Sequence, residues 1–288
     1  MRVAHPAEAN DIQALLWSGF AKLVEGVFLL LRIRDQGAAR AWLRHASVTT
    51  IADLDGYQQT ALQIAISANG LRNLAVAADI IELFAPEFLS GMAGDEARCR
   101  RLGGDVGANA PGNWRWGGNG EPDVLLLLYA DDGKLQAWQS STIAAVGQNG
   151  FDLVTELPTS NMGGREPFGF IDGVSQPKID WHGKRQTRSG ADVDYYSNLV
   201  SKGEFLLGYP NEYGQYTGRP LLPAGAAGAL SPAEDQTGLR DLGRNGTYLV
   251  LRELHQDVRG FWQREQDRMA PRAWPKPWWA AIALQATL

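Results

Sequence analysis

The run Arg165 to Asp180 (REPFGFIDGVSQPKID) holds the residues of this chain whose types and spacing most readily do chemistry. Asp172 stands next to Gly173 and three residues after Gly169, with Ser175, Gln176 and Pro177 following at once. Glycine lets backbone turn tightly and come close to a flat ligand. An acid beside such glycines is held on a short arm against whatever occupies the space in front. Taken alone, a Gly-x-x-Asp-Gly run is weak, because any turn can contain it. Other chemistry is scarce. Cys99 is the only cysteine, so no internal disulfide can form and a cysteine-built zinc or iron–sulfur site is excluded. It lies among arginines (Arg98, Arg100, Arg101), yet with no partner in view it reads as a structural thiol. The four histidines, His5, His45, His182 and His255, form no ligand spacing, and the first three read as surface residues.

Elements able to position such a site are legible around it. Val27–Ile33, Leu62–Ser67, Val124–Ala130, Glu204–Tyr209 and Thr247–Leu251 are apolar runs bounded by glycine, proline or charge, and predict strands. Ala38–Arg44 predicts a short helix. Leu71–Phe84 predicts a longer one, with Leu71, Leu74, Ala78 and Ile81 near helical spacing before Pro86. Leu254, Val258, Phe261 and Trp262 fall on one face of a further helix. Strand alternating with helix in this way predicts an α+β sandwich, an antiparallel sheet with helices on one face. Arg98–Trp116 is rich in Gly, Arg and Asn and predicts a long ordered connection, with Trp114 and Trp116 as its anchors.

Composition narrows the function classes. With 44% hydrophobic and 20% charged residues in 288, the chain can build two ordinary cores. A net charge of -5 and the absence of a basic tract argue against nucleic acid as a partner. No stretch approaches the ~20 apolar residues of a membrane span, and the first residues have no signal-like core, so a cytoplasmic protein is expected.

The Arg165–Asp180 run resembles the signature of the dye-decolorizing peroxidases, a family of haem enzymes. Further segments resemble that family in the same order: Asp11-Ile12-Gln13 with Ser18-Gly19, Ala38–Leu43, Asn109–Trp114, Gly203–Tyr209, Asn245–Val250, and Gln256-Asp257-Val258 with Phe261-Trp262. The resemblance covers residues 10 to 263. It implies two ferredoxin-like halves, each an antiparallel sheet with helices on one face, here a domain over residues 1–160 and a partial haem-binding domain over 161–267. It implies haem b as cofactor, hydrogen peroxide as substrate, and a bulky dye or phenolic aromatic as reductant. Asp172 becomes the distal acid that moves a proton from the inner to the outer peroxide oxygen so that water can leave. A carboxylate of pKa near ~4 stays ionised for that task even in mild acid. Gly169, Phe170, Ile171, Gly173, Ser175 and Gln176 would line the haem edge.

The family's axial histidine and distal arginine have no counterpart among the matched segments, so the iron ligand is unknown. His255 sits where the family has a non-ligating residue and is a poor substitute. The tail, residues 268–288, crowds Trp274, Trp278 and Trp279 among prolines without periodicity. In one neighbouring reading frame Trp278-Trp279-Ala280 forces a Val-Gly pair, and the free codon choices permit a family-like continuation. A frameshift after Trp262 and a truncated second half are therefore expected. An uncovered apolar face at Phe205, Leu206, Leu249 and Leu251 would then favour self-association. The alternative to an enzyme is a non-catalytic remnant that serves at most as a binding module.

Overall fold

The computed structural model describes residues 8–17, 19–20, 22–171, 173, 176–182, 199–225 and 227–269. They form two compact units, Met1–Ser160 with Pro177–Leu249, and Asn161–Gln176 with Val250–Leu288.

The first unit is built on a four-stranded antiparallel sheet. Its strands are β1 (Glu25–Ile33), β2 (Thr60–Ile66), β3 (Val124–Ala130) and β4 (Phe151–Pro158). They lie in the order β2-β3-β1-β4, the ferredoxin-like arrangement of a split βαβ unit. The crossover from β1 to β2 carries helix α1 (Gln36–His45). That from β2 to β3 carries four short helices, α2 (Ala68–Asn73), α3 (Ala78–Ile81), α4 (Pro86–Ser90) and α5 (Glu96–Arg98). Helix α6 (Leu135–Gln148) joins β3 to β4.

β1 and β3 occupy the middle and are buried on both faces, which explains why they read as unbroken apolar runs (VFLLL, VLLLLYA) rather than alternating ones. Val27, Leu29 and Leu31 face one way with Val124, Leu126, Leu128 and Phe151, and pack under Ala39 and Trp42 of α1 and Val146 and Trp138 of α6. Leu30, Leu125, Leu127 and Gln63 point to the opposite face and are also buried. There Leu15 N–H donates to Gln63 Oε1 at 3.0 Å, and Phe20 stacks near Tyr129.

Both sheet edges are blocked. On β2, the Gln13 carboxamide donates to Ile64 O and accepts from Ile64 N–H, each at 2.8 Å, as a neighbouring strand would. Thr49 adds a second pair to Leu62. On β4, a bulge opposite Leu30 and Leu31 interrupts the ladder, and Asp152 and Glu156 are exposed.

Asp123, fully buried just before β3, ties the crossovers to the sheet. Its carboxylate accepts from Ile33 N–H at 2.7 Å and from Asn69 and Asn73 Nδ2 at 2.8 and 3.0 Å. Its carbonyl lies so close to Gly70 that an added Cβ would sit 2.1 Å from it.

The predicted α1, β1, β2 and β3 are present within one to two residues at most boundaries. The single helix predicted over 71–84 is instead α2 and α3, broken where Ala75 turns left-handed (φ +54°) and Val76 N–H closes back onto Leu71 O. The predicted strands 204–209 and 247–251 are not strands. Lys202–Glu204 is a single 3-10 turn, and Gly203 abuts the backbone of Tyr209 and Pro210 too closely for a side chain. Leu206 and Leu207 are both buried although no ladder runs through them. Leu207 meets Asn245 and Gly246 through one pair of backbone bonds, with Asn245 left-handed (φ +66°). So Leu206, expected on an open face, is in fact core.

Two small sheets complete the described chain. β5 (Lys178–Ile179) pairs in parallel with β6 (Leu199–Val200), and β7 (Leu221–Pro223) antiparallel with β8 (Leu239–Asp241). The second unit contains helix α7 (Val258–Met269), which begins after Leu254.

Candidate functional site

The signature segment lies in the second unit and its shape follows from local chemistry. Glu166–Pro167–Phe168–Gly169 is a β-turn closed by Gly169 N–H donating to Glu166 O at 2.8 Å. Proline presets the second position and glycine suits the fourth. Gly169 adopts φ +93°, which a side chain would resist. The chain then doubles back, with Glu166 N–H donating to Phe170 O at 3.0 Å and a β-bridge between Arg165 and Ile171.

Three side chains lock this turn. The Glu166 carboxylate accepts from Phe168 N–H at 3.0 Å and from Phe170 N–H at 2.9 Å. Arg165 Nη1 donates to Gly169 O at 2.8 Å. From α7, Trp262 Nε1 donates to Phe168 O at 3.1 Å. Phe168 and Phe170 pack on Phe261 and Trp262 of α7, with ring centroids 4.8 to 6.2 Å apart. Such aromatic pairs add ~0.5–1.5 kcal/mol each beyond area burial.

Of the predicted site residues, Gly169, Phe170 and Ile171 sit together at the end of this turn. Phe170 is 52% and Ile171 63% exposed, two consecutive apolar residues that remain largely open to solvent. Gly173 follows with φ +77° and Gln176 is exposed. Asp172 and Ser175 lie outside the described residues. His255 is exposed and precedes α7, while His45 ends α1 and His182 is exposed. His5 lies outside the described residues. Among the described residues no group of three or more His, Cys, Asp or Glu side chains is arranged around a metal ion.

Glu166, Arg165 and Trp262 are not recognisable as a locking set from the sequence. The signal that could have found them is the Glu-Pro-x-Gly turn itself, since a glutamate ahead of such a turn can reach its amides. Trp262 falls on a helical face in the sequence, but its hydrogen bond to Phe168 spans 94 residues and no local pattern encodes it.

Elsewhere, Cys99 is buried with Sγ against Met92 O, as a structural thiol would be. Trp114 Nε1 donates to Asn109 O at 2.7 Å, so this ring anchors its own loop. A cleft of about 270 Å³ between Arg72, Val76, Ala78, Ile81, Glu82 and Leu89 contains none of the signature residues.

The first unit's charged network is structural. Arg244 pairs with Glu8 at 2.7 Å and Glu234 at 2.8 Å and stacks on Tyr209, whose hydroxyl donates to Asn245 Oδ1. The Arg244 guanidinium holds the Glu8 carboxyl below its ordinary value. Burial pushes the Tyr209 hydroxyl up to about 12. Arg219, itself buried, pairs with Asp235 and with the fully buried Asp241, and it holds Asp235 low.

The class defined by this fold is ferredoxin-like α+β, a mixed helix and antiparallel-sheet protein. The fold is shared with solved dye-decolorizing peroxidases. A decolorizing peroxidase from Auricularia auricula-judae matches with a TM-score of 0.55 at 23% identity, covering 73% of this chain and 45% of that one. A dye-decolorizing peroxidase variant in complex with cyanide matches at 0.54 and 20%, covering 73% and 46%. One in complex with 2,6-dimethoxyphenol matches at 0.53 and 21%, with the same coverage. At these identities the likeness is one of fold, and the chain spans less than half the length of those structures. No protein-family model and no curated protein matches the chain.

Proposed function

We propose that this chain carries the peroxide-facing side of a haem peroxidase of the dye-decolorizing kind. The observation that carries the reading is the locked turn of residues 165–171, which delivers the chain directly to Asp172 with Phe170 and Ile171 exposed beside it. The shared fold supports it. One structure of that fold is described as having an engineered heme pocket, and others hold cyanide or 2,6-dimethoxyphenol.

The apolar pair and the glycines at Gly169 and Gly173 fit a flat macrocycle, here haem b, which when bound supplies the redox chemistry for peroxide. Phe170 and Ile171 would meet it by apolar contact, and Gly173 would let backbone approach it closely. Ser175 and Gln176 would line its edge. Asp172 would take the proton from the inner oxygen of hydrogen peroxide and return it to the outer one, so that water leaves. An aromatic or dye reductant then supplies the electrons. The iron's axial donor is assigned to no described residue, His255 included. In this reading residues 1–160 form the first ferredoxin-like domain and 161–267 belong to the haem-binding one, while 268–288 is an aberrant tail. A cytoplasmic location is part of the same proposal. Among the described residues no helix is long and apolar enough to cross a membrane.

The test is an absorbance spectrum of the full chain expressed with added haem precursor. A Soret band, with peroxide-driven dye oxidation abolished in Asp172→Asn, is the expected result. Absence of haem, or dye oxidation untouched by Asp172→Asn, would overturn the proposal and leave a non-catalytic binding module as the reading.

A further inference from the structure

We infer that Glu166 is a positioning residue, whose carboxylate fixes the turn that leads into Asp172. This inference rests on the peroxidase reading for its chemical consequence, but its geometry stands apart from it.

Glu166 is half-buried, and both of its carboxylate oxygens are used, one on each of two backbone amides. Oε2 takes Phe168 N–H at 3.0 Å and Oε1 takes Phe170 N–H at 2.9 Å. Its own backbone closes the same turn twice, through O to Gly169 N–H at 2.8 Å and through N–H to Phe170 O at 3.0 Å. One residue therefore makes four of the contacts that define the turn. Arg165 and Trp262 each hold one carbonyl of the turn from outside, at 2.8 and 3.1 Å. The last bridged residue, Ile171, is bonded directly to Asp172. A carboxylate that accepts two amides stiffens the turn that immediately precedes Asp172 in the chain. Hydrogen bonds to a charged acceptor are roughly twice as strong as neutral ones. Proton transfer to peroxide demands placement within hydrogen-bond reach, so loosening this turn costs rate even where the acid itself is intact.

The chemistry distinguishes three side chains at this position. The native glutamate satisfies both amides. The carboxamide introduced by Glu166→Gln keeps one uncharged carbonyl acceptor and brings an NH2 group that can only donate, so one amide loses its partner. Glu166→Ala frees both.

Amide hydrogen exchange of the full chain, read at Phe168 and Phe170, is the first measurement. Exchange at these two amides should quicken on the order of 10- to 100-fold in Glu166→Ala, with Glu166→Gln between it and the wild type. Exchange in β1 and β3 should be unchanged, which separates local release from unfolding. In chain loaded with haem, Glu166→Ala should keep the Soret band but lose roughly 10-fold or more in kcat/KM for peroxide, with partial recovery in Glu166→Gln. Unchanged exchange at Phe168 and Phe170 overturns the inference, as does faster exchange with the peroxide rate intact. Wild-type chain that takes up no haem, or is indifferent to Asp172→Asn, overturns the peroxidase reading instead, and the exchange experiment then decides by itself whether Glu166 fixes the turn.

Discussion

Asp123 makes more of the first unit's tertiary hydrogen bonds than its place in a polar loop would suggest. Three donors from two elements, one in β1 and two in α2, converge on one buried carboxylate. Replacing Asp123 by Ala strands all three, at ~1–3 kcal/mol for each donor that water cannot reach. We expect Asp123→Ala to lower unfolding free energy by at least about 3 kcal/mol in urea titration, and Asp123→Asn by less, since it retains one acceptor. Titration behaviour is likewise a matter of single residues. Glu8 and Asp235 have folded pKa values below their ordinary 4.5 and 3.8, so their contribution is full above those values and is lost as pH falls below them. Tyr209 is raised from 10 to about 12, so its contribution is full below pH 10 and is lost between 10 and about 12. Melting temperature against pH should therefore fall at both ends, and Glu8→Gln should flatten the acid limb.

Elements answer to their neighbours as much as to their own residues. β2 is an edge strand that behaves as an interior one because Gln13 supplies the missing partner at Ile64. Gln13→Ala should cost about 1–3 kcal/mol and expose two ladder groups of that edge. Greater self-association in sedimentation velocity, relative to wild type, is the outcome that checks it. α6 and β4 are not legible in the sequence, for reasons visible in them. α6 (LQAWQSSTIAAVGQ) mixes Ser, Thr and Gly with apolar residues on several faces, and so shows no clear stripe. β4 loses its alternation at the bulge, where Leu31 faces Leu153 and Leu30 faces Thr155, with Val154 extra between them. The reverse holds at 204–209 and 247–251. Both runs are apolar enough for strands, but Gly203, Gly208 (φ +86°) and Asn245 bend them into turns that bury Leu206 and Leu207.

Across the whole molecule, charge pairs bind distant stretches of sequence. Arg244 and Asn245 reach Glu8 and Asp11 from 236 and 234 residues away, and Arg219 pairs with both Asp235 and Asp241. Arg219→Met leaves the fully buried Asp241 without its counter-charge, and we expect a loss of about 3–5 kcal/mol, seen as a fall in the urea midpoint. In the second unit, Phe170, Ile171, Val250 and Leu254 expose large apolar surface. On the peroxidase reading haem covers the first two. Chain prepared without haem should then bind a hydrophobic dye such as ANS and self-associate, and added haem should reduce both. Dye binding unaffected by haem would count against that cover.

The sequence by itself determined the α+β class, the central strands β1 and β3, the helix α1, and the segment on which the chemistry is proposed to rest. These are written in local terms: unbroken apolar runs between breakers, a short helix-forming run, a glycine-flanked acid. Only the tertiary structure decided the strand order β2-β3-β1-β4, the buried roles of Asp123 and Gln63, and the locking of the signature turn by Glu166 and Trp262. Each of these depends on atoms brought together from 48 or more residues apart, or on which of many nearby amides a side chain reaches. Short-range spacing fixes the periodicity of an element, but a polar group's partner is chosen by burial, where every donor and acceptor must be matched once water is gone.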